Sequence, residues 1–217
     1  MDNFFTIIGG MGTIATELYI KQINQKTPTK NDQDYLDYVL VNYSTIPDRS
    51  SYLMNKSENE NPLPYLLKII EKYGALEPNF FVLTCNTAHY FFNELEKASQ
   101  VPILHMPRLA VEEASKQYKK GTRVGIIGTE GTIKNKIYDG FFLDGGWVLG
   151  HPTLDEELYN QILSKMFNEL NCEVVILGCT ELSLMEDLAN YSNENVIDPQ
   201  NVLAENTVKL ALANREK

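Results

Sequence analysis

The 217 residues are 43% hydrophobic and 22% charged, the balance of a globular protein with an ample core. A formal net charge of −10 excludes the basic face that nucleic acid requires. No apolar run approaches the ~20 residues of a membrane span, the N-terminus MDNFFTIIGG is too short and acidic for a signal peptide, and three cysteines without a CxxC pair point to a reducing, cytoplasmic setting.

FFTIIGG reads as a buried strand and residues 13–26 as an amphipathic helix. YVLVNY is a second strand, and the polar stretch 48–62 reads as a loop. LPYLLKIIEKYG is a helix that stops with Gly74 at the C′ position. FFVLTC (strand), residues 86–98 (helix), VPILHM (short strand), 107–119 (helix) and RVGIIG (strand) follow. Then come a helix over about 132–142, a short strand WVLG, a helix over about 154–170 and the strand EVVILG. Asn171 suits a left-handed stop. After VID, a last helix starts with Asp198 as N-cap and Pro199 at its first position. Short apolar strands alternating with helices imply parallel sheets covered on both faces.

The chain echoes itself. IIGGMGTI at 7–14 returns as IIGTEGTI at 126–133, matching at six of eight positions. FVLTCNTA and VILGCTEL form a second, looser pair in the same order. The expected fold is α/β, with two pseudo-symmetric three-layer lobes, mainly parallel sheets and an active site between them. Residues 1–105 form the first lobe and 106–198 the second, with the helix 199–217 packing back on the first.

Gly10-Met11-Gly12 opens a helix after a strand and spells a dinucleotide fingerprint. The acidic residue that should end a second strand is missing, since Asp32 and Asp34 lie in a polar loop. Either the glycines only allow a tight turn, or their exposed N–H groups cradle an anion, a carboxylate as readily as a phosphate. Two such cradles suit a substrate held between two lobes. No zinc-ligand spacing exists among the three His and three Cys, so no metal is expected.

Cys85 and Cys179 both end apolar strands and begin helices, where open α/β sheets bind ligands. Cys172 reads as an inert core residue. An unperturbed thiol is about 3% thiolate at pH 7. A helix N-terminus contributes less than one pKa unit, so Asn86, Thr87 and Thr180 would have to add to it. A disulfide between the pair is disfavoured in a reducing compartment. Two facing thiols suit inversion of a carbon centre, which needs a base on one face and an acid on the other. His89 and His105 read as structural, and Glu181 as a helix-start charge.

GGMGTIAT, NYSTIPDRSSYL, CNTAH, TEGT and GCTEL, in this order, resemble the aspartate racemase branch of the aspartate/glutamate racemase family. The resemblance covers nearly the whole chain. It implies a cofactor-independent isomerase of two pseudo-symmetric lobes, a homodimer, with a small acidic amino acid as substrate. Aspartate comes first and glutamate second. It assigns the proton transfers to Cys85 and Cys179 and the side-chain carboxylate to Arg49. Met11, Asn86, Thr87, Thr129, Thr132 and Thr180 then line the α-carboxylate and ammonium site. Lys165 is the match to a substrate-binding lysine, in a segment, Pro152 to Val174, that holds one helix where the family has room for two. A related dicarboxylate isomerase or decarboxylase, or a non-catalytic amino-acid-binding protein on the same scaffold, remains open beside this reading.

Overall fold

Strand β1 (Phe5–Gly9) is buried along its whole length because it lies inside a parallel sheet with helices on both faces. The computed structural model describes residues 3–119, 121–138, 146–148, 156–189 and 195–216. Among them, β1 pairs with β2 (Tyr38–Asn42) and β3 (Phe81–Leu83), and β3 pairs with β4 (Ile103–Leu104). The sheet order is β2-β1-β3-β4. The second sheet repeats it as β6-β5-β7-β8, built from β5 (Val124–Gly128), β6 (Gly146–Val148), β7 (Val174–Gly178) and β8 (Val196–Ile197). Every pairing in both sheets is parallel. The two echoed Gly-rich segments therefore leave the equivalent strands β1 and β5. The two cysteine segments leave β3 and β7.

The period-2 alternation of the strands sorts the core into layers. In the first sheet, Phe5, Ile7, Phe80 and Val82 face α1 (Thr13–Lys26) and α9 (Pro199–Arg215), meeting Tyr19, Ile23, Leu203 and Val208. Ile8, Phe81 and Leu83 face the other way, toward α3 (Leu63–Gly74) and α4 (Phe92–Ala98). In the second sheet, Val124, Ile126, Val174 and Ile176 pack on Ala110, Val111 and Ala114 of α5 (Met106–Gln117). Ile127, Val175 and Leu177 pack on α7 (Glu156–Ser164) and on Leu182 of α8 (Thr180–Ala189). Each fully buried large side chain contributes about 1.5–3 kcal/mol. α9 joins the layers: Leu203 belongs to the first core and Val202 to the second. Its neighbour α1 is tied to it by Tyr19, whose hydroxyl donates to Thr207 at 2.7 Å.

Most element bounds follow the sequence, and the departures have local causes. The stretch 48–62 is not all loop. It holds the short helix α2 (Arg49–Met54), started by Asp48, whose carboxylate accepts from Ser51 N at 2.6 Å. A polar helix without an apolar stripe is invisible to periodicity. Gly74 remains helical, and the left-handed residue is Glu77 (φ 54°). Asn171 does take the left-handed stop (φ 52°). The helix expected over 86–98 opens as a 3-10 turn (Thr87–Phe91) before α4. The helix expected over 132–142 is the short α6 (Glu130–Lys134), and residues 139–142 lie outside the described residues. WVLG is described only to Val148, where β6 ends. The helix expected over 154–170 is α7 followed by a π-helical turn, Lys165–Glu169.

Candidate active site

Two buried thiols stand at the carboxyl ends of equivalent strands. β3 ends at Leu83, and Thr84 then bonds back to Ile8 O through its amide (3.1 Å) and its hydroxyl (3.2 Å). Those bonds hold the exit straight for one residue and deliver Cys85, 5% exposed, to the start of the 3-10 turn. Cys179 follows β7 directly, 9% exposed, and α8 starts at the next residue. Both cysteines are free thiols.

Their charged neighbours differ. The Arg49 guanidinium donates through Nη2 to Met11 O at 3.0 Å and through Nη1 to Pro47 O at 3.2 Å, and its charge lies beside Cys85. Burial works against its charge. The Cys85 sulfur and the carboxylates of Asp48 and Glu181 outweigh that and hold it above the ordinary arginine value. Cys179 instead donates its S–H to Glu181 Oε2 at 2.8 Å. Burial pushes the Cys179 thiol well above the ordinary cysteine value, and the Glu181 charge pushes it further. The other Glu181 oxygen reaches across to the first lobe: a Cβ on Gly12 would lie 3.1 Å from Oε1. The turn expected to cradle an anion thus already has a carboxylate of the protein against it. That turn needs glycine at position 10, where φ is +88° and a Cβ would come within 2.5 Å of Tyr43 N.

Hydroxyls close the space between the lobes. Thr87 Oγ1 lies 2.9 Å from Thr132 Oγ1 and 3.1 Å from Thr129 Oγ1, and the last two are 3.1 Å apart. Thr129 also caps α6 by accepting from Thr132 N at 3.2 Å. Gly131 N donates to Ser50 Oγ at 2.9 Å. A side chain at 131 would meet Ser50 Oγ at 2.6 Å, so only glycine lets α2 and α6 approach this closely. The Tyr138 hydroxyl of the second lobe donates to Asn86 Oδ1 of the first.

Residues 8–148 match the model of the Asp/Glu/Hydantoin racemase family. The chain belongs to that family. It is 25% identical over 229 residues to the broad specificity amino-acid racemase RacX of Bacillus subtilis (strain 168), covering 95% of this chain and 97% of that protein. It is 27% identical over 169 residues to the glutamate racemase of Persephonella marina, covering 69% of this chain and 64% of that one. The solved structure of Picrophilus torridus aspartate racemase superposes with a TM-score of 0.76 at 25% identity, covering 96% of this chain and 94% of that chain.

In this member of the racemase family, most of the expected site residues come together. Met11 is buried, and its carbonyl is held by Arg49. Thr87 meets Thr129 and Thr132 across the lobes, Asn86 meets Tyr138, and Thr180, 3% exposed, has its hydroxyl 3.4 Å from Glu181 Oε2. Lys165 does not join them. Its neighbour Met166 packs with Cys172 against Gly125, near the start of β5 and β7. Val175 pairs with Gly125, so Cys179 lies four residues further along, roughly 13 Å by strand rise. The helix before β7 runs down to the far end of the sheet, which carries Lys165 away from the strand ends.

Three contributors escaped the sequence reading. Glu181 was legible as a helix-start charge, but its contact with Cys179 was not. Ser50 lies in the polar stretch 48–62, which reads as a loop. Tyr138 carried no signal at all. The two histidines hold the backbone. His89 Nε2 accepts from Met106 N at 3.1 Å, so its Nδ1 carries the proton and donates to Cys85 O at 2.8 Å. Burial lowers its pKa to about 4. His105 caps α5 by accepting from Arg108 N at 3.1 Å, and burial, then the charges of His89 and Arg108, lower its pKa to about 3. Among the described residues no group of three or more His, Cys, Asp or Glu is placed to hold a metal ion, and no helix is long and apolar enough to cross a membrane.

Proposed function

We propose that this protein racemises a small acidic amino acid, aspartate first and glutamate second, by proton transfer between its α-carbon and two cysteines, without a cofactor. One observation carries the reading: two buried free thiols at equivalent strand ends, one against a guanidinium and the other donating to a carboxylate. Cys85 is the base of the resting protein, because Arg49 is a counter-charge for a sulfur anion. Cys179 is the acid, because Glu181 favours the protonated sulfur. The Cys85 sulfur takes the α-proton, and the bond's electron pair passes into the carboxylate as enolate character. The Cys179 proton then arrives from the opposite face. The transfer leaves Cys85 protonated and Cys179 anionic, the state that serves the reverse direction. N–H groups and hydroxyls at the helix starts stabilise the charge that develops on the carboxylate. The whole-length similarity to the Picrophilus torridus aspartate racemase supports aspartate as the first substrate.

The test is incubation of L- and D-aspartate, then both glutamates, in heavy water. Racemisation with one α-deuterium gained per inversion is expected. Inversion without deuterium, or binding with neither, would refute the proposal. The broad specificity of the Bacillus subtilis relative makes a panel of neutral amino acids the natural control.

A further inference from the structure

Asn86 is 2% exposed, and its two polar ends are treated differently. Its carbonyl oxygen accepts from the Tyr138 hydroxyl. Its Nδ2 is buried and has no partner among the described residues. Buried amide donors are rarely left so, because the desolvation they suffer is not repaid. Asn86 stands in the chain between Cys85 and Thr87, whose hydroxyl meets those of Thr129 and Thr132. A buried donor left unpaired between two candidate site residues is open to an acceptor that a ligand would bring.

Tyr138 is 1% exposed and comes from the other lobe. A phenol can donate or accept, so the direction of the bond decides which way the amide points. Burial, then the nearby charges of Asp198 and Cys179, push the Tyr138 hydroxyl well above the ordinary tyrosine value. It remains a neutral donor at any working pH and asks for an acceptor. Turning the amide over would set its NH2 against that donor and its oxygen toward the ligand.

We propose that Tyr138 is a positioning residue: its bond to Asn86 Oδ1 locks the amide so that the NH2 faces the substrate α-carboxylate. The inference rests on the racemase reading for the identity of that carboxylate. Locking by a residue of the second lobe also means that the first lobe cannot present this donor correctly by itself.

The experiment is a double-mutant cycle on aspartate binding, read by calorimetry, with kcat and KM measured alongside. Tyr138→Phe keeps the ring and loses the lock, so it should weaken aspartate binding about tenfold, with the loss in KM and little change in kcat. Asn86→Ala should weaken binding at least as much, and the double variant should equal Asn86→Ala alone. Asn86→Asp keeps the bond to Tyr138 and puts an oxygen where the NH2 stands, so it should bind more weakly than Asn86→Ala, and it serves where Tyr138→Phe fails to fold. Wild-type binding in Tyr138→Phe, equal losses on both backgrounds, or stronger binding in Asn86→Asp than in Asn86→Ala overturns the proposal. Wild-type protein that binds aspartate without α-deuterium exchange defeats racemisation and leaves the lock standing. Binding of no aspartate, glutamate or succinate by the wild type ends both.

Discussion

Cys85 and Cys179 occupy the same place in two sheets of the same strand order, yet one faces a guanidinium and the other a carboxylate. The fold supplies the symmetry, and side chains break it. A symmetric fold can set two thiols on opposite sides of one carbon. Two thiols in identical surroundings would have no reason to differ in protonation at rest. In the proposed mechanism Arg49 and Glu181 supply that difference, and each stands at a helix start rather than in the sheet. Arg49 stands at the start of α2 and Glu181 in the first turn of α8.

The comparison is broken most severely by removing either sulfur. Cys85→Ala and Cys179→Ala should each lower racemisation about 1,000-fold or more, followed by chiral chromatography. A variant that kept wild-type turnover would show that the pair does not act as a pair. Removing the flanking charges should cost less and differ between lobes. Arg49→Met takes away the only counter-charge described beside Cys85, and a loss of about 100-fold in kcat/KM is expected. Glu181→Gln should cost about tenfold. It should also move the alkaline limb of kcat/KM to lower pH, because the Cys179 thiol is no longer pushed up by a carboxylate. The equilibrium constant between enantiomers is one, so both directions must shift together. A limb that stays in place would count against Glu181.

Acid should separate the lobes by stability. His89 and His105 sit where β4 hands the chain to α5, and their folded pKa values of about 4 and about 3 lie below the unfolded value of about 6.5. Between these values the unfolded chain binds protons that the folded chain does not. The stability from keeping His89 neutral is thus fully present above pH 6.5 and is lost as pH falls toward 4, about 3 kcal/mol in all. Urea unfolding across that window should show the slope in the wild type and a flatter one in His89→Gln. Hydrogen exchange should show the Cys85 turn loosening before the Cys179 turn. The smallest effect concerns the caps. Asp48→Ala removes the N-cap of α2 and should cost about 1 kcal/mol, a melting-point drop of about 2–4 °C. Thr129→Ala removes the corresponding cap of α6 and one member of the hydroxyl cluster, so it should cost activity as well.

Much of this protein was legible one residue at a time. The bounds of α1 and α3, the left-handed Asn171, the Asp198–Pro199 helix start and the two strand-end cysteines all follow from local patterns, because periodicity and capping act over a few neighbouring residues. α2 was missed because its six residues carry no apolar stripe. Lys165 matches a substrate-binding lysine only through the resemblance, and it follows α7 beside Met166, which packs near the start of β5 and β7.

What the sequence by itself determined is the alternation of strand and helix, the internal duplication, and the pair of thiols that must lie at strand ends. What only the tertiary structure decided is which charge meets which thiol, and which hydroxyl turns the Asn86 amide. Glu181 accepts from Cys179 and crowds the space a side chain at Gly12 would need, and Tyr138 reaches Asn86 from the other lobe. The Gly12–Glu181 and Asn86–Tyr138 approaches depend on the angle at which two packed layers meet, and no stretch of sequence short enough to be read as a pattern contains both partners; Cys179 and Glu181 do share one short motif, but only the folded turn brings sulfur and carboxylate together.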